Sequence, residues 1–240
     1  MKRLSLLTLI FALLSLVFFI LLIFFRVPFP LYSNMSYQDA IDILTPLVLI
    51  PVYWLLFKYS SSSGSSLLEE FAFVVLAALW VEGQGMHLSA NSISNLTVNP
   101  SQKQIMDITG TEVFNLTSFF DEHLGHYLWH IGVLGLAALL IYREWRQPVG
   151  TRTASWAAIP AGILYGFTYF AIFLEGQTLA LGLPFAFLVV LFTLVWGRKN
   201  LPRQPVLAFF FVACLLAALF FTGWGLYWRG FPQFSEVGLV

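Results

Sequence analysis

Along this chain, apolar residues fall in long blocks separated by short polar connections. A helix needs roughly 20 apolar residues to cross a bilayer core of about 30 Å, and seven blocks meet that measure. They cover residues 4–25, 40–57, 67–88, 119–142, 154–174, 178–196 and 206–227. The pattern predicts an all-α fold: an integral membrane bundle of seven transmembrane helices forming a single polytopic domain over residues 1–240. The second block is the shortest and the fifth carries Pro160, so these two bound the pattern's reach. The first, opening with Lys2 and Arg3, has the look of a signal peptide. Its apolar run is too long for one, however, and no small-residue cleavage site precedes Arg26, so it is read as a membrane helix.

Basic residues in short connections are retained on the cytoplasmic side, so their placement orients the bundle. With the N-terminus cytoplasmic, that side receives Lys2, Arg3, Lys58, Arg143, Arg146, Arg152, Arg198, Lys199 and Arg203, while the outer side receives Arg26, Lys103 and Arg229. Nine against three agrees with an odd number of spans and places the C-terminus outside. Residues 60–66 form a Ser/Gly run, read as a flexible linker. Residues 89–118 form the one long loop, expected outside. Asn34, Asn95 and Asn115 each begin an Asn-x-Ser/Thr triplet, glycan acceptors only where the protein passes through a secretory pathway. No internal repeat is visible. The expected location is a plasma or inner membrane, or an endomembrane in a eukaryote, as a multi-pass protein.

Composition supports this picture and removes some functions. The chain is 59% hydrophobic and only 10% charged, against about 25% charged in a soluble domain, and its mean hydropathy is +0.81. Twelve basic and twelve acidic residues lack the concentrated basic face of a nucleic-acid binder. The lone cysteine, Cys214, lies in an apolar run, which excludes an internal disulfide and cysteine-based metal sites.

All four histidines fall in two neighbouring blocks, and there the candidate chemistry gathers. The third helix carries Glu82, Gly83, Gln84, Gly85 and His87, followed by Asn91, and the fourth carries Asp121, Glu122, His123, His126 and His130. Both groups belong to the outer half of the membrane in the orientation above. Glu122, His126 and His130 stand four residues apart and form one stripe of a helix. His-x-x-x-His is the helical spacing with which two imidazoles reach one metal ion. Glu82 lies five residues before His87, about 140° away on a regular helix, and a bulge at Gly83 or Gly85 would bring the two to one face. Glu175, in the turn between the fifth and sixth helices, closes the site from the far side, and Tyr165 and Tyr169 add hydroxyls. Ionisable groups inside a membrane cost several kcal/mol unless they pair, bind an ion or line a wet cavity, so such a cluster is a functional candidate.

An ordinary account stands beside each of these. Asp121 and Glu122 follow Ser118 at a helix start, where carboxylates complement the dipole and cap free amides. His123 points away from the stripe as an interfacial bystander, and a helix ending at Ser89 would leave His87 at the interface. A carboxylate in a turn, such as Glu175, is ordinarily solvated. Trp224 and Tyr227 suit an interfacial aromatic belt. His130 resists such a reading, since it lies roughly 18 Å along the helix from Ser118.

Seven spans with a His-x-x-x-His pair, a further histidine and acidic residues resemble the superfamily of membrane hydrolases that contains alkaline ceramidases and adiponectin-receptor-like proteins. The residues carrying the resemblance are Glu82, His87, Asp121, Glu122, His126 and His130. It is a likeness of site type: that superfamily has its His-x-x-x-His pair on the last helix and a serine four residues before its earlier histidine, where this chain has Gly83. The cluster and the resemblance together imply a membrane-embedded metalloenzyme, a zinc-dependent hydrolase of a lipid-like substrate reached sideways from the membrane lipids. His87, His126 and His130 would be ligands, and Glu82, Asp121 or Glu122 would take the proton of the metal-bound water. Two other readings compete: an iron or haem oxidoreductase, and a proton-coupled transporter or receptor using the same His/Glu cluster. A retinal protein is disfavoured, because residues 206–227 contain no lysine for a Schiff base.

Overall fold

The structure, a computed structural model, describes residues 2–21, 27–98, 110–147, 157–199 and 201–239. Nearly all of these are helical. In chain order the elements are α1 (Lys2–Phe19), a small antiparallel hairpin of β1 (Pro28–Phe29) and β2 (Tyr32–Ser36), α2 (Tyr37–Asp42), α3 (Leu44–Tyr59) and α4 (Leu67–Val98). There follow α5 (Glu112–Ser118), a π-helical turn over Phe119–Gly125, α6 (His126–Arg146), α7 (Ala158–Glu175), α8 (Leu179–Phe192) and α9 (Pro205–Trp228).

Among the described residues, six helical segments are long and apolar enough to cross a membrane: Tyr37–Tyr59, Leu67–Ser94, Glu112–Arg146, Ala158–Glu175, Leu179–Gly197 and Pro205–Trp228. The all-α expectation therefore holds. The first block differs from its expected extent, because α1 ends at Phe19 and Arg3–Phe19 is a shorter apolar helix; residues 22–26 lie outside the described residues. Pro160 falls in the first turn of α7, where its missing N–H would have had no intrahelical partner.

The expected long loop over residues 89–118 is corrected. No glycine or proline interrupts the chain between Gly85 and Pro100, so α4 runs on to Val98, and residues 112–118 form α5, begun by the Thr111 hydroxyl accepting from the Phe114 amide at 3.3 Å. Residues 99–109 lie outside the described residues, as do Arg26, Lys103 and Arg152, and nothing is described of the Asn34 and Asn95 side chains.

The helices alternate in direction between two ends of the bundle. At one end the Arg143 guanidinium, buried over the Phe57 ring at 4.1 Å, donates to Glu69 at 2.5 Å, and Lys58 pairs with Glu70 at 2.6 Å. Here too the Glu144 carboxylate accepts the Leu207 amide at 2.8 Å and so caps the first turn of α9, while Gln204 donates to the Glu144 carbonyl at 3.0 Å. The opposite end carries Asp42, His87, His126 and Glu175. Although short, α1 runs between the same two ends: Phe11 meets Tyr53 of α3 at 4.5 Å, Tyr165 of α7 at 5.2 Å and Phe209 of α9 at 6.1 Å between ring centroids, and Phe19 reaches Trp129 near the far end. One face of α1 packs on these three neighbours, while Leu6, Ile10, Leu13 and Val17 form an exposed stripe on the other. Leucines on the outer faces, such as Leu188 and Leu191 of α8 and Leu219 of α9, are exposed, as helices bathed in lipid would have them.

Candidate functional site

Two glycines set the distance between the histidine-bearing helices. A Cβ on Gly83 would lie 2.2 Å from the Trp129 amide nitrogen and 2.5 Å from the Gly125 carbonyl, and one on Gly125 would lie 3.0 Å from the His87 nitrogen. With no side chain at either position, α4 and α6 touch backbone to backbone, as small residues permit in membrane bundles. That approach puts the His87 and His126 rings 4.3 Å apart between centroids.

The expected bulge at Gly83 or Gly85 is absent, since α4 is regular α-helix there and the separation of five residues keeps Glu82 on a different face from His87. Glu82 is exposed and belongs to a separate hollow with Ser89, Ile93 and Phe120. The irregularity lies instead on the facing helical segment of the site, in the π-helical turn over Phe119–Gly125. Such turns are rare and frequent at functional sites. Within it Asp121 is buried and its carboxylate meets His87 Nδ1 at 2.6 Å, while the neighbouring Glu122 joins a cavity wall.

That cavity has a volume of about 300 Å³ and brings together His87, His126, Glu122, Asp42, Trp129 and Glu175. With Nδ1 engaged by Asp121, Nε2 is the remaining nitrogen of His87. His126 Nδ1 and Trp129 Nε1 are buried without a hydrogen-bond partner among the described residues. His130 lies one turn deeper, fully buried beneath Gly176, its Nδ1 bonded to the Thr178 hydroxyl and its ring 4.5 Å from that of Phe173. The stripe of Glu122, His126 and His130 thus divides: the first two face the cavity and the third faces α7 and the start of α8.

The remaining expected residues are distributed unevenly. Glu175 is in the cavity wall, but its carboxylate accepts the Phe234 amide at 2.5 Å and its carbonyl accepts from Gln233 at 2.6 Å, which ties the C-terminal segment over the site. Tyr169 donates to the Gly182 carbonyl at 2.7 Å and Tyr165 packs with Phe209, both in the core away from the cavity. Asn91 is half-buried beyond His87 and outside the cavity lining, and His123 is exposed, stacked on Phe119.

Sequence reasoning missed Asp42 and the tail. Trp80 Nε1 donates to Gln84 Oε1 at 2.7 Å, Gln84 Nε2 donates to Asp42 Oδ1 at 2.9 Å, and the Thr45 hydroxyl donates to the same oxygen at 2.7 Å. This chain of bonds holds the Asp42 carboxylate at the cavity. The available signal was an aspartate beginning an apolar block with no basic residue near it. Gln233 and Ser235 also line the cavity, and nothing in their local sequence marks them.

Among the described residues no group of three or more His, Cys, Asp or Glu side chains is gathered closely enough to hold a metal ion. His87 and His126 line the cavity and His130 does not: its Nδ1 is bonded to Thr178 and its Nε2 is buried without a partner among the described residues. Two imidazoles and the Glu122 carboxylate do share the cavity, a donor chemistry suited to zinc. No protein-family description, no curated protein and no solved structure matches this chain.

Proposed function

We propose that this chain is a membrane-embedded hydrolase that activates water in the His87–His126 cavity against an ester or amide of a lipid-like substrate. The proposal includes seven bilayer crossings, with α1 as the first, and a cytoplasmic N-terminus, so that the cavity lies in the outer half of the membrane. The observation that carries it is the buried Asp121 carboxylate bonded to His87 Nδ1, which leaves Nε2 as the nitrogen able to act in a cavity that His87 lines.

In this reading Asp121 holds the imidazole in the tautomer with its proton on Nδ1 and stabilises the imidazolium that forms. His87 Nε2 takes a proton from water as the water oxygen bonds to the acyl carbon. The acyl–oxygen or acyl–nitrogen bond then breaks and the proton passes to the leaving group. The Trp129 N–H, buried in the same wall, is a donor for charge developing on the acyl oxygen. In a zinc form of this reading His87 Nε2, His126 and Glu122 would have to close together on the ion, with His87 then a ligand and not the base, and the ion would lower the pKa of a bound water toward about 7.

One observation favours a second reading. The rings of His87, His126 and His130 follow one another at centroid separations of 4.3 and 5.9 Å, from the cavity toward the core, a path suited to relaying protons or binding an ion without turnover. Metal analysis of the detergent-purified protein, run beside hydrolysis of long-chain esters and amides, separates the readings. The hydrolase reading expects turnover that falls at least about 100-fold in Asp121→Asn, and its zinc form expects a stoichiometric ion lost in His87→Ala/His126→Ala. Absence of turnover across both substrate classes overturns the hydrolase and favours the relay.

A further inference from the structure

A second hollow, of about 520 Å³, runs between α7 and α9 beside the polar cavity. Its walls include Phe167, Phe220, Gly223 and Trp224, and they carry no charged or hydroxyl side chain. The one polar atom of Trp224, Nε1, is already used in donating to the Pro232 carbonyl at 3.0 Å. Phe167 and Phe220 are among the exposed apolar side chains, so the hollow opens on the lateral face of the bundle.

Three observations join this hollow to the site. Ile20 and Ala171 belong to both walls, so the apolar hollow and the polar cavity share a boundary. The C-terminal segment roofs both: Gln233 and Ser235 line the cavity, whereas Phe234 lines the hollow, packed on Trp224 at 5.2 Å and fixed by Glu175. The depths also agree, since His87 lies about 27 Å along α4 from Glu69, and Gly223 about 27 Å along α9 from Pro205. A volume of this size is within the range of ligand pockets. A wholly apolar hollow that meets, at one boundary, a cavity carrying charged and polar side chains matches an amphiphile whose polar linkage and hydrocarbon part enter different spaces.

We infer that the α7–α9 hollow seats the hydrocarbon chain of a single-chain acyl ester or amide, with the acyl linkage at the Ile20–Ala171 boundary and reaching the His87 side. This rests on the hydrolase reading for the polar end alone; occupancy of the hollow by an acyl chain is measurable without turnover. Gly223 offers the means, because a Cβ built there meets nothing within 4 Å. Gly223→Phe fills the hollow from an exposed position, Leu219→Trp does so independently, and Gly223→Ala adds one methyl group and serves as control.

Purified protein in phosphatidylcholine nanodiscs is photolabelled with a fatty-acyl ester carrying a diazirine along its chain, and the labelled peptides are mapped. Labelling of the 219–224 segment that is displaced by unlabelled palmitoyl ester and falls at least about tenfold in Gly223→Phe and Leu219→Trp, while Gly223→Ala keeps it, supports the inference. Labelling that neither filling variant changes, or that palmitoyl ester does not displace, overturns it. Hydrolysis supplies the second arm: palmitoyl turnover drops in the filled variants and butyryl turnover stays within about twofold, whereas equal loss of both overturns the seating of the chain. Displaceable labelling without turnover of either ester leaves the acyl hollow standing and removes the hydrolase reading.

Discussion

At the scale of single residues, the dyad and the deep histidine make opposite demands on mutation. Asp121→Asn keeps size and a polar contact but no longer stabilises a charged His87, so turnover is expected to fall by about 10²–10⁴ with the unfolding temperature little changed. Steady-state hydrolysis and a thermal melt on the same preparation check both halves. Thr178→Val removes the one partner of His130 Nδ1 in a fully buried setting and is expected to cost about 1–3 kcal/mol, read by denaturant unfolding in detergent. The histidines and Asp121 were legible as candidates because ionisable residues stand out against apolar blocks. Their division of labour was not. The four-residue spacing treats His126 and His130 alike, and only the placement of Thr178 and Gly176, about fifty positions along the chain, turns one to a hydroxyl and leaves the other at the cavity.

Among the elements, the closeness of α4 to α6 depends on backbone contact at Gly83. Gly83→Ala places a methyl group within 2.2 Å of the Trp129 nitrogen, which a flexible neighbour cannot relieve, so about 1–3 kcal/mol of stability is expected to be lost along with the His87–His126 apposition. Gly85→Ala, two residues on, meets nothing within 4 Å and is expected to raise stability by about 0.5–1 kcal/mol through the lower entropy of the unfolded chain. Unfolding of the two variants in parallel checks the contrast, and equal effects would remove the close-packing account. Sequence pattern identified both glycines as special but attached them to a bulge, because periodicity describes one helix and not its neighbour. The actual bulge, over Phe119–Gly125, has no glycine or proline until its last residue and left no local trace. At the other end of the bundle, Glu144→Ala leaves the Leu207 amide of α9 without its buried acceptor and is expected to cost about 1–3 kcal/mol, while Glu144→Gln keeps an acceptor oxygen and loses less.

For the whole molecule, the alternating helix directions turn the charge asymmetry read from sequence into a spatial one. Lys58, Arg143, Arg146, Arg198, Lys199 and Arg203 gather at the end where Glu144 caps α9, and Arg229 is the basic residue described beyond the cavity end of α9. If retained positive charge orients the bundle, the cavity faces away from the cytoplasm. Cys214 is the sole cysteine and is buried, so a Cys214→Ala background gives a clean test with single cysteines at exposed Arg3, at Gly64 between α3 and α4, and at Gly230 after α9. Neither glycine position has a heavy atom within 4 Å of a new Cβ. In intact cells a membrane-impermeant maleimide is expected to label Gly230→Cys alone, with Gly64→Cys and Arg3→Cys reacting after permeabilisation. The Arg3 position carries the finer question. Two crossings, α1 and the α2–α3 segment, separate it from Gly64 if α1 spans, and one if it does not. Labelling of Arg3→Cys from outside while Gly64→Cys stays protected would therefore reduce the bundle to six crossings, and protection of Gly230→Cys with exposure of Gly64→Cys would reverse the side on which the His87 cavity opens.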